Sequence, residues 1–478
     1  MLESLSPSSV WKYFEQFCTI PHPSGHEQKA AEYIIRTAAR LGLPAITDAT
    51  GNILVKKQAT DDFHATTIIL QSHLDMVPQK NENTRHDFIT DPIRPFVDGK
   101  WVKAKGTTLG ADNGIGVAIT LAILENSTIK HGPIEALFTL DEERGMTGAF
   151  GLTPEFLSGR TMINLDTEEE NEICIGCAGG TDIKCSIPVT FENAPENYRF
   201  FLISLKGLQG GHSGMEIHLG RANALKITAD FLQTLKNSIP IKIAIFNGGS
   251  ARNAIPREAF CTIAVPESHY DALNNTVEAF QTTTSYKFKN TDPDLCFKYE
   301  AVNSSYPVLS ELNVHQLLDA LTRCPNGVIS MSPALPTVQT SNNCAIVKTE
   351  SDSLRIDCML RSSLDSELQH YKNRISEIFI TNGGRVSYGS MYPGWQPVDS
   401  NLLSTMKNAY IKVHQKEPNV VAVHAGLECG IIGSKYPGIE MISCGPTIRF
   451  AHSPDEQMNI PSVERFWRCL ITGLDLIK

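Results

Sequence analysis

The sequence lacks the segments that would place it in a membrane or outside the cell. No stretch of about 18 consecutive apolar residues occurs, although a helix needs that length to span a bilayer. A secretory signal peptide has a positively charged segment followed by an apolar core. Residues 2–7 carry no positive charge, and no such core follows them. We therefore expect a cytoplasmic protein that does not bind membranes.

Positive charge is also scarce. The 478 residues include 42 Lys and Arg against 52 Asp and Glu, which gives a net charge of −10. No basic stripe with interleaved aromatic residues is present. This balance argues against nucleic acid or an anionic lipid surface as a partner.

The twelve cysteines form no framework. Only Cys174 and Cys177 make a C-x-x-C pair, and the second such pair that a zinc ribbon requires is missing. The pattern favours buried free thiols in a reducing compartment over a redox or zinc role.

The length of the chain predicts two domains. Strands and helices alternate in residues 1–180, which predicts an α/β catalytic domain with a mixed, mostly parallel sheet flanked by helices. Residues 391–478 are expected to return to that domain after a turn-rich linker. Between them, residues 181–390 hold a strand-like run at 201–205 and a helical repeat of Leu225, Ala229 and Leu232. We interpret this insert as an α+β lid and dimerisation domain.

An early helix is predicted from its apolar periodicity. Ala31, Ile34 and Ala38 recur at helical intervals up to Gly42. Ser24 and Glu27 stand at the spacing of a capping box, so we expect this pair to begin the helix.

The main chemical signal is a set of residues of metal-ligand type, each of which follows a predicted strand or opens a helix. They are His73, Asp112, Glu143, Asp166 and His452. In α/β sheets, ligands and catalytic groups gather where the strands end.

Three carboxylates and two imidazoles suit a pair of divalent cations that lie about 3.5–4 Å apart and share a bridging carboxylate. The carboxylates neutralise three of the four positive charges, and the remaining charge would stabilise a bound hydroxide. Water at such a site is expected to ionise near neutral pH.

Two further acidic residues stand beside this set. Glu142 precedes Glu143, and adjacent side chains in an extended segment point in different directions, so one can bind metal while the other accepts a proton. We assign the base to Glu142 and the ligand to Glu143. Asp75 lies on the same side of the chain as His73 and is expected to accept the second imidazole N–H or to contact the metal site.

Several segments closely resemble the aminoacyl-histidine dipeptidases, a family of cytosolic di-zinc enzymes related to aminoacylases, carnosinases and carboxypeptidases. The resemblance runs from about Leu5 to the C-terminus. It rests on HLDMVP at 73–78, GTTLGADNG at 106–114, GGHSG at 210–214 and HSPDE at 452–456, and also on FNGG at 246–249 and NAIPREAF at 253–260. One departure is Asp141 before the Glu pair and Arg144 after it, where a Thr or Ser and a small residue are expected.

The resemblance implies a role for each candidate residue. One cation would be held by His73, Asp112 and Asp166, and the other by Asp112, Glu143 and His452, with Zn²⁺ favoured over Co²⁺ or Mn²⁺. Glu142 would be general base and general acid. The remaining residues would act on the substrate. His212 would stabilise the oxyanion, either within its own chain or across a homodimer. Asn253 and Arg361 would bind the substrate backbone and C-terminal carboxylate, and Glu428 would bind the amine. From sequence alone, Glu428 is equally well explained as a solvated turn carboxylate.

The predicted function is hydrolysis of dipeptides with a free amino terminus by a metal-bound hydroxide. A preference for Xaa-His, including β-alanyl-histidine, follows only from the resemblance. The alternatives are an N-acyl-amino-acid deacylase or carboxypeptidase on the same metals, and a non-catalytic binding protein. Retention of Glu142 beside all five ligands argues against the last, because binding alone needs no free base.

Overall fold

The computed structural model describes residues 2–60 and 65–478, and the chain divides into two compact units. The first unit comprises the chain up to Cys177 with Trp395–Ala422 and Leu427–Lys478, and the second comprises Ala178–Gly394 with Val423–Gly426. The lid role of residues 181–390 and their exact limits stay predictions.

The first unit begins with helices and strands in alternation. Its strands are β1 Ala45–Thr47, β2 Ile53–Lys57, β3 Ile68–His73, β4 Pro95–Asp98, β5 Trp101–Ala104, β6 Ile134–Thr139, β7 Thr161–Asn164 and β8 Glu172–Cys177. Its helices in this part are α1 Ser8–Cys18, α2 Gln28–Arg40, α3 Ala111–Glu125 and α4 Thr147–Gly151.

The second unit is built on a nine-stranded sheet, whose paired strands run antiparallel. The strands of this unit are β9 Gly179–Pro188, β10 Phe191–Glu192, β11 Tyr198–Lys206, β12 Gly211–His212, β13 Lys242–Gly248, β14 Ala254–Ile255, β15 Ala259–Pro266, β16 Cys296–Val302, β17 Val308–Leu309, β18 Gly327–Met331, β19 Val338–Thr349, β20 Ser353–Ser362 and β21 Arg385–Tyr388. Its helices are α5 Ala224–Ser238, α6 Tyr270–Lys287, α7 Glu311–Arg323 and α8 Asp365–Thr381. The strand predicted at 201–205 and the helix predicted from Leu225 lie in β11 and α5.

The C-terminal part completes the first unit. It contains α9 Asn401–His414, β22 Asn419–Val423, α10 Glu428–Lys435, β23 Glu440–Ser443, β24 Ile448–Arg449, β25 Gln457–Asn459 and α11 Ile460–Leu476. The main sheet has the order β1-β2-β6-β3-β7-β23-β8-β22. Its four central strands run parallel, and α2, α3 and α9 pack against it. The predicted α/β fold with a mixed sheet flanked by helices is confirmed.

Burial explains why the central strands form. Every residue of β3 and β6 is buried, as expected for parallel strands covered on both faces. Helix α3 is apolar around its whole circumference and is buried almost throughout. These elements form the part of the core that carries the candidate site.

The early helix is present, but its predicted cap is wrong. Helix α2 begins at Gln28 after Glu27, and no side chain caps it. The Ser24 hydroxyl donates to the Met76 carbonyl oxygen at 3.3 Å, and the Glu27 carboxylate accepts from the Gly25 N–H at 2.6 Å. The Ser24 side chain is therefore used by a tertiary contact and the Glu27 side chain by the preceding turn, instead of by the helix end.

The cysteines behave as expected from their scatter. No disulfide joins two cysteines in the described part of the chain, and Cys174 and Cys177 are buried. Burial raises the pKa of Cys177 to about 12, so this thiol stays protonated.

No helix within residues 2–60 or 65–478 has the length and apolarity to cross a membrane.

Candidate metal and catalytic site

Two histidines from distant parts of the first unit meet at one carboxylate. His73 is the last residue of β3, and its Nε2 lies 3.1 Å from Asp112 Oδ1. His452 follows β24, and its Nε2 lies 3.0 Å from Asp112 Oδ2. Each oxygen of Asp112 thus faces a different imidazole, which is the arrangement of a carboxylate that bridges two sites.

The other two predicted ligands lie on opposite sides of this bridge. Asp166 Oδ1 is 3.3 Å from His73 Nε2, and Glu143 Oε1 is 3.0 Å from His452 Nε2. Ligand atoms of His73, Asp112 and Glu143 all lie within 4.8 Å of one another. The structure therefore brings the five residues together in two overlapping groups.

Strand order accounts for the clustering. β3 is flanked by β6 and β7, and all three run parallel. His73 ends β3, Asp166 follows β7 by two residues, and Glu143 lies in the turn after β6. Because the carboxyl ends of parallel strands meet at one edge of a sheet, these side chains share that edge.

The electrostatics fit a site for divalent cations. Although burial acts in the opposite direction, the carboxylates of Asp112 and Glu143 raise the pKa of His452 to about 11. Burial, aided by the charge of Asp112, raises the pKa of Glu143 to about 6. Protons thus balance a surplus of buried negative charge. Cations bound by neutral imidazoles and ionised carboxylates would replace those protons.

Glu142 stands beside the ligands with an altered acidity. Burial raises its pKa well above the ordinary value, and the charges of Asp166 and Glu143 act in the same direction. Its role as the general base stays a prediction.

Asp75 holds the turn that carries Glu142 and Glu143. Its Oδ1 accepts from the Glu142 N–H at 2.9 Å and its Oδ2 from the Glu143 N–H at 3.2 Å. His73 Nδ1 lies 3.0 Å from the backbone oxygen of Asp75 and 3.4 Å from its carboxylate. Asp75 therefore contacts both the imidazole and the turn.

Asp141 explains the departure from the family pattern. Its backbone is left-handed with φ 57°, a conformation that Asp tolerates better than most residues. Its carboxylate accepts from Arg144 Nε at 2.7 Å and from the Thr147 hydroxyl at 2.8 Å. The Arg144 side chain is 61% exposed, so this arginine stabilises the turn at the surface.

Comparison with known proteins assigns the chain to one family. The model of the peptidase family M20/M25/M40 matches residues 69–472. The chain belongs to that family. It is 42% identical to the cytosol non-specific dipeptidase of Escherichia coli strain K12, over 98% of this chain and 97% of the relative.

Two solved peptidase structures have a fold similar to that of this chain. The aminoacylhistidine dipeptidase of Vibrio alginolyticus is 41% identical, with a TM-score of 0.92 over 100% of this chain and 98% of that one. The aminopeptidase PepT of Bacillus cereus shares the fold at 15% identity, with a TM-score of 0.60 over 99% of both chains.

In this M20 peptidase, Glu428 is buried next to the strands that carry the ligands. It is the first residue of α10 and is 1% exposed. Its Oε2 accepts from Gln71 Nε2 and from the Thr139 hydroxyl, both at 2.7 Å. Burial raises its pKa to about 7. The interpretation of Glu428 as a solvated turn carboxylate is therefore wrong. Its contact with a substrate amine stays a prediction.

The second unit of the M20 peptidase groups the remaining candidates. His212 Nδ1 accepts from the N–H groups of Gly214 and Met215 at 3.2 and 3.0 Å, so the neutral ring carries its proton on Nε2. Asn253 is exposed, and its backbone carbonyl oxygen accepts a hydrogen bond from the Ser213 N–H at 2.7 Å. Arg361 is buried and donates to the Tyr392 hydroxyl at 2.9 Å.

Gly214 shows how close His212 and Arg361 are. A Cβ at Gly214 would lie 3.1 Å from His212 Cε1, 3.2 Å from Arg361 Nε and 2.3 Å from the His424 carbonyl oxygen. Only glycine fits where these three residues converge.

Two further residues had received no role from the sequence. Glu456 closes the HSPDE segment and binds the backbone beside Asp112. His424 is buried and lies 2.7 Å from the Ser341 hydroxyl, and burial together with the charge of Arg361 lowers its pKa to about 3. The HSPDE motif was a signal for Glu456, but the partners of both residues lie far away in sequence.

Proposed function

We propose that this M20 peptidase hydrolyses dipeptides with a free amino terminus, preferring Xaa-His and including β-alanyl-histidine. The observation that carries the proposal is the Asp112 carboxylate, shared by His73 and His452 at 3.1 and 3.0 Å with Glu142 in the adjacent turn. Such a bridge with a neighbouring base is the arrangement of a two-metal hydrolase.

Two divalent cations, with Zn²⁺ favoured, would be held by His73, Asp112 and Asp166 on one side and by Asp112, Glu143 and His452 on the other. When bound, they polarise the scissile carbonyl and lower the pKa of a water molecule. The donor set of imidazoles and carboxylates supports this choice of metal.

Glu142 performs the proton transfers. Its carboxylate takes a proton from the attacking water and passes it to the nitrogen of the leaving residue as the C–N bond breaks. Its place in the turn directly before Glu143 supports both roles. Asp75 holds the turn in which Glu142 lies.

Four further residues are proposed to bind the substrate. His212 donates from Nε2 to the developing oxyanion, within its own chain or across a homodimer; the fixed tautomer supports this role. Arg361 suits a C-terminal carboxylate because its planar fork binds two oxygens. Asn253 binds the substrate backbone, and Glu428 binds the amine.

The relatives support the substrate class. The Vibrio relative is named for aminoacyl-histidine substrates, and the Escherichia relative for non-specific cleavage of dipeptides in the cytosol. We infer a cytoplasmic dipeptidase in which the His preference is a matter of degree.

Amine release by purified, zinc-loaded protein tests the proposal. The substrates are β-alanyl-histidine, Gly-His, Gly-Leu and N-acetyl-Gly-His, with a chelated sample as control. Chelator-sensitive cleavage of the free dipeptides, faster for the two His peptides, is the expected result. Equal rates for Gly-His and Gly-Leu would remove the His preference. Cleavage of the acetylated peptide would indicate a deacylase, and no cleavage would leave the binding-protein alternative.

A further inference from the structure

Glu456 inserts its carboxylate into a cradle of four consecutive backbone N–H groups. Its Oε2 accepts from Leu109 and Gly110 at 2.7 and 2.9 Å, and its Oε1 accepts from Ala111 and Asp112 at 2.8 and 3.3 Å. The residue is 2% exposed. A buried carboxyl group that accepts four backbone hydrogen bonds fixes the position of this backbone, because each unpaired buried N–H would cost free energy.

The cradle depends on the local backbone. Gly110 has φ 69°, and a left-handed residue in a turn can direct successive N–H groups toward one point. A Cβ at Gly110 would lie 2.9 Å from Met76 Sδ. The segment is thus shaped to receive a carboxylate immediately before the bridging residue Asp112.

On the other side, Glu456 anchors the loop that carries His452. The Glu456 N–H donates to the Ser453 carbonyl oxygen at 3.1 Å, and the Ser453 hydroxyl donates to the Phe450 carbonyl oxygen at 2.7 Å. The loop is therefore a compact unit that ends in Glu456.

His452 itself does little to hold this loop. Its side chain is 51% exposed, and both Phe450 and His452 have a positive φ, at 57° and 62°. Non-glycine residues keep that conformation only when their surroundings enforce it. The buried Glu456 carboxylate joins this loop to the backbone of the Asp112 segment, in addition to the side-chain contact between His452 and Asp112.

We propose that Glu456 is a positioning residue that sets the distance between the Asp112 carboxylate and the His452 imidazole, and thereby the affinity for the second cation. The inference rests on the proposed function, because it takes Asp112, Glu143 and His452 as the ligands of that cation. Residues that orient metal ligands change metal affinity by about 10- to 100-fold when they are replaced.

The test is Glu456→Gln, with Glu135→Gln as the matched control. Glu135 is also 2% exposed and accepts bonds from Ser158 and Gly159, but it lies near the start of β6, at the opposite end of that strand from the ligands. Both substitutions place an amide NH₂ against N–H donors, so both are expected to lower the melting temperature.

Zn²⁺ is titrated into chelator-treated full-length protein by calorimetry, and kcat and KM for Gly-His are measured as the metal concentration rises. We expect Glu456→Gln to keep the first cation, to bind the second about 10- to 100-fold more weakly, and to recover kcat at high metal with KM little changed. Glu135→Gln should bind both cations as the wild type does.

Equal affinity for the second cation in Glu456→Gln and the wild type would overturn the inference. If Glu456→Gln does not fold, Glu456→Asp decides in the same way, because it keeps the charge but is one methylene too short to reach all four donors. A wild type that binds fewer than two cations would overturn the proposed function itself and is a distinguishable outcome.

Discussion

The Asp75 carboxylate accepts a hydrogen bond from the Glu142 backbone N–H at 2.9 Å. This contact joins the end of β3 to the turn after β6, and the second oxygen of the same carboxylate accepts from the Glu143 N–H at 3.2 Å. One side chain thus fixes the backbone of both the candidate base and a candidate ligand. The distance from the Asp75 carboxylate to His73 Nδ1 is longer, at 3.4 Å.

Replacing Asp75 by Asn should therefore impair catalysis. The amide has one acceptor oxygen, so one of the two N–H groups would face an NH₂ donor. We expect kcat to fall by about 10- to 100-fold, as measured by initial rates at saturating Gly-His and metal. Unchanged kcat would show that the turn is held without Asp75.

Glu142→Gln should separate metal binding from turnover. The amide cannot accept and release the proton, so kcat is expected to fall by about 10²- to 10⁴-fold. Calorimetric titration should still give the wild-type metal stoichiometry, since Glu142 is not one of the proposed ligands. Retention of wild-type turnover would place the base elsewhere.

His212→Ala should lower kcat by about 10²- to 10³-fold if the imidazole stabilises the oxyanion. Co-expression with Glu142→Gln then tells whether His212 acts within its chain or across a dimer. Activity in the mixed dimer requires that a complete set of groups be shared between chains. An inactive mixed dimer, confirmed by two affinity tags, assigns His212 to its own chain.

The stability of metal-free protein should reveal the buried Glu428. Burial raises its pKa from 4.5 to about 7 in the folded chain. Between these values the folded state holds a proton that the unfolded state has lost, so this contribution to stability falls as pH rises and is lost above about pH 7. Glu428→Gln cannot ionise, and relative to wild type it should gain roughly 3 kcal/mol from pH 4.5 to pH 8.

Urea unfolding across that pH range measures the difference. Glu135→Gln is the control, because hydrogen bonds from Gly159 and Ser158 lower the pKa of Glu135 despite its burial. Its difference from wild type should stay nearly constant above about pH 6. A Glu428→Gln curve parallel to the wild type would show that Glu428 titrates normally.

Much of the site could be predicted because its ligands follow strongly patterned segments. The apolar runs before His73 and Asp166 are buried strands, and the run before Asp141 is another. Buried parallel strands have a clear local signature, and their ends share one sheet edge. The predicted cap at Ser24 and Glu27 failed because a tertiary contact with Met76 uses the hydroxyl.

The sequence by itself determined the α/β class, the strands of the central sheet and the identity of the residues that cluster at its edge, since these follow from local periodicity and residue type. Only the tertiary structure decided that Asp112 lies between His73 and His452, that Glu428 is buried against Gln71 and Thr139, and that Glu456 binds the backbone before Asp112. His73 and Asp112 are 39 residues apart, and the other contacts join segments hundreds of residues apart. Their geometry depends on how the whole chain packs, and no local pattern encodes it.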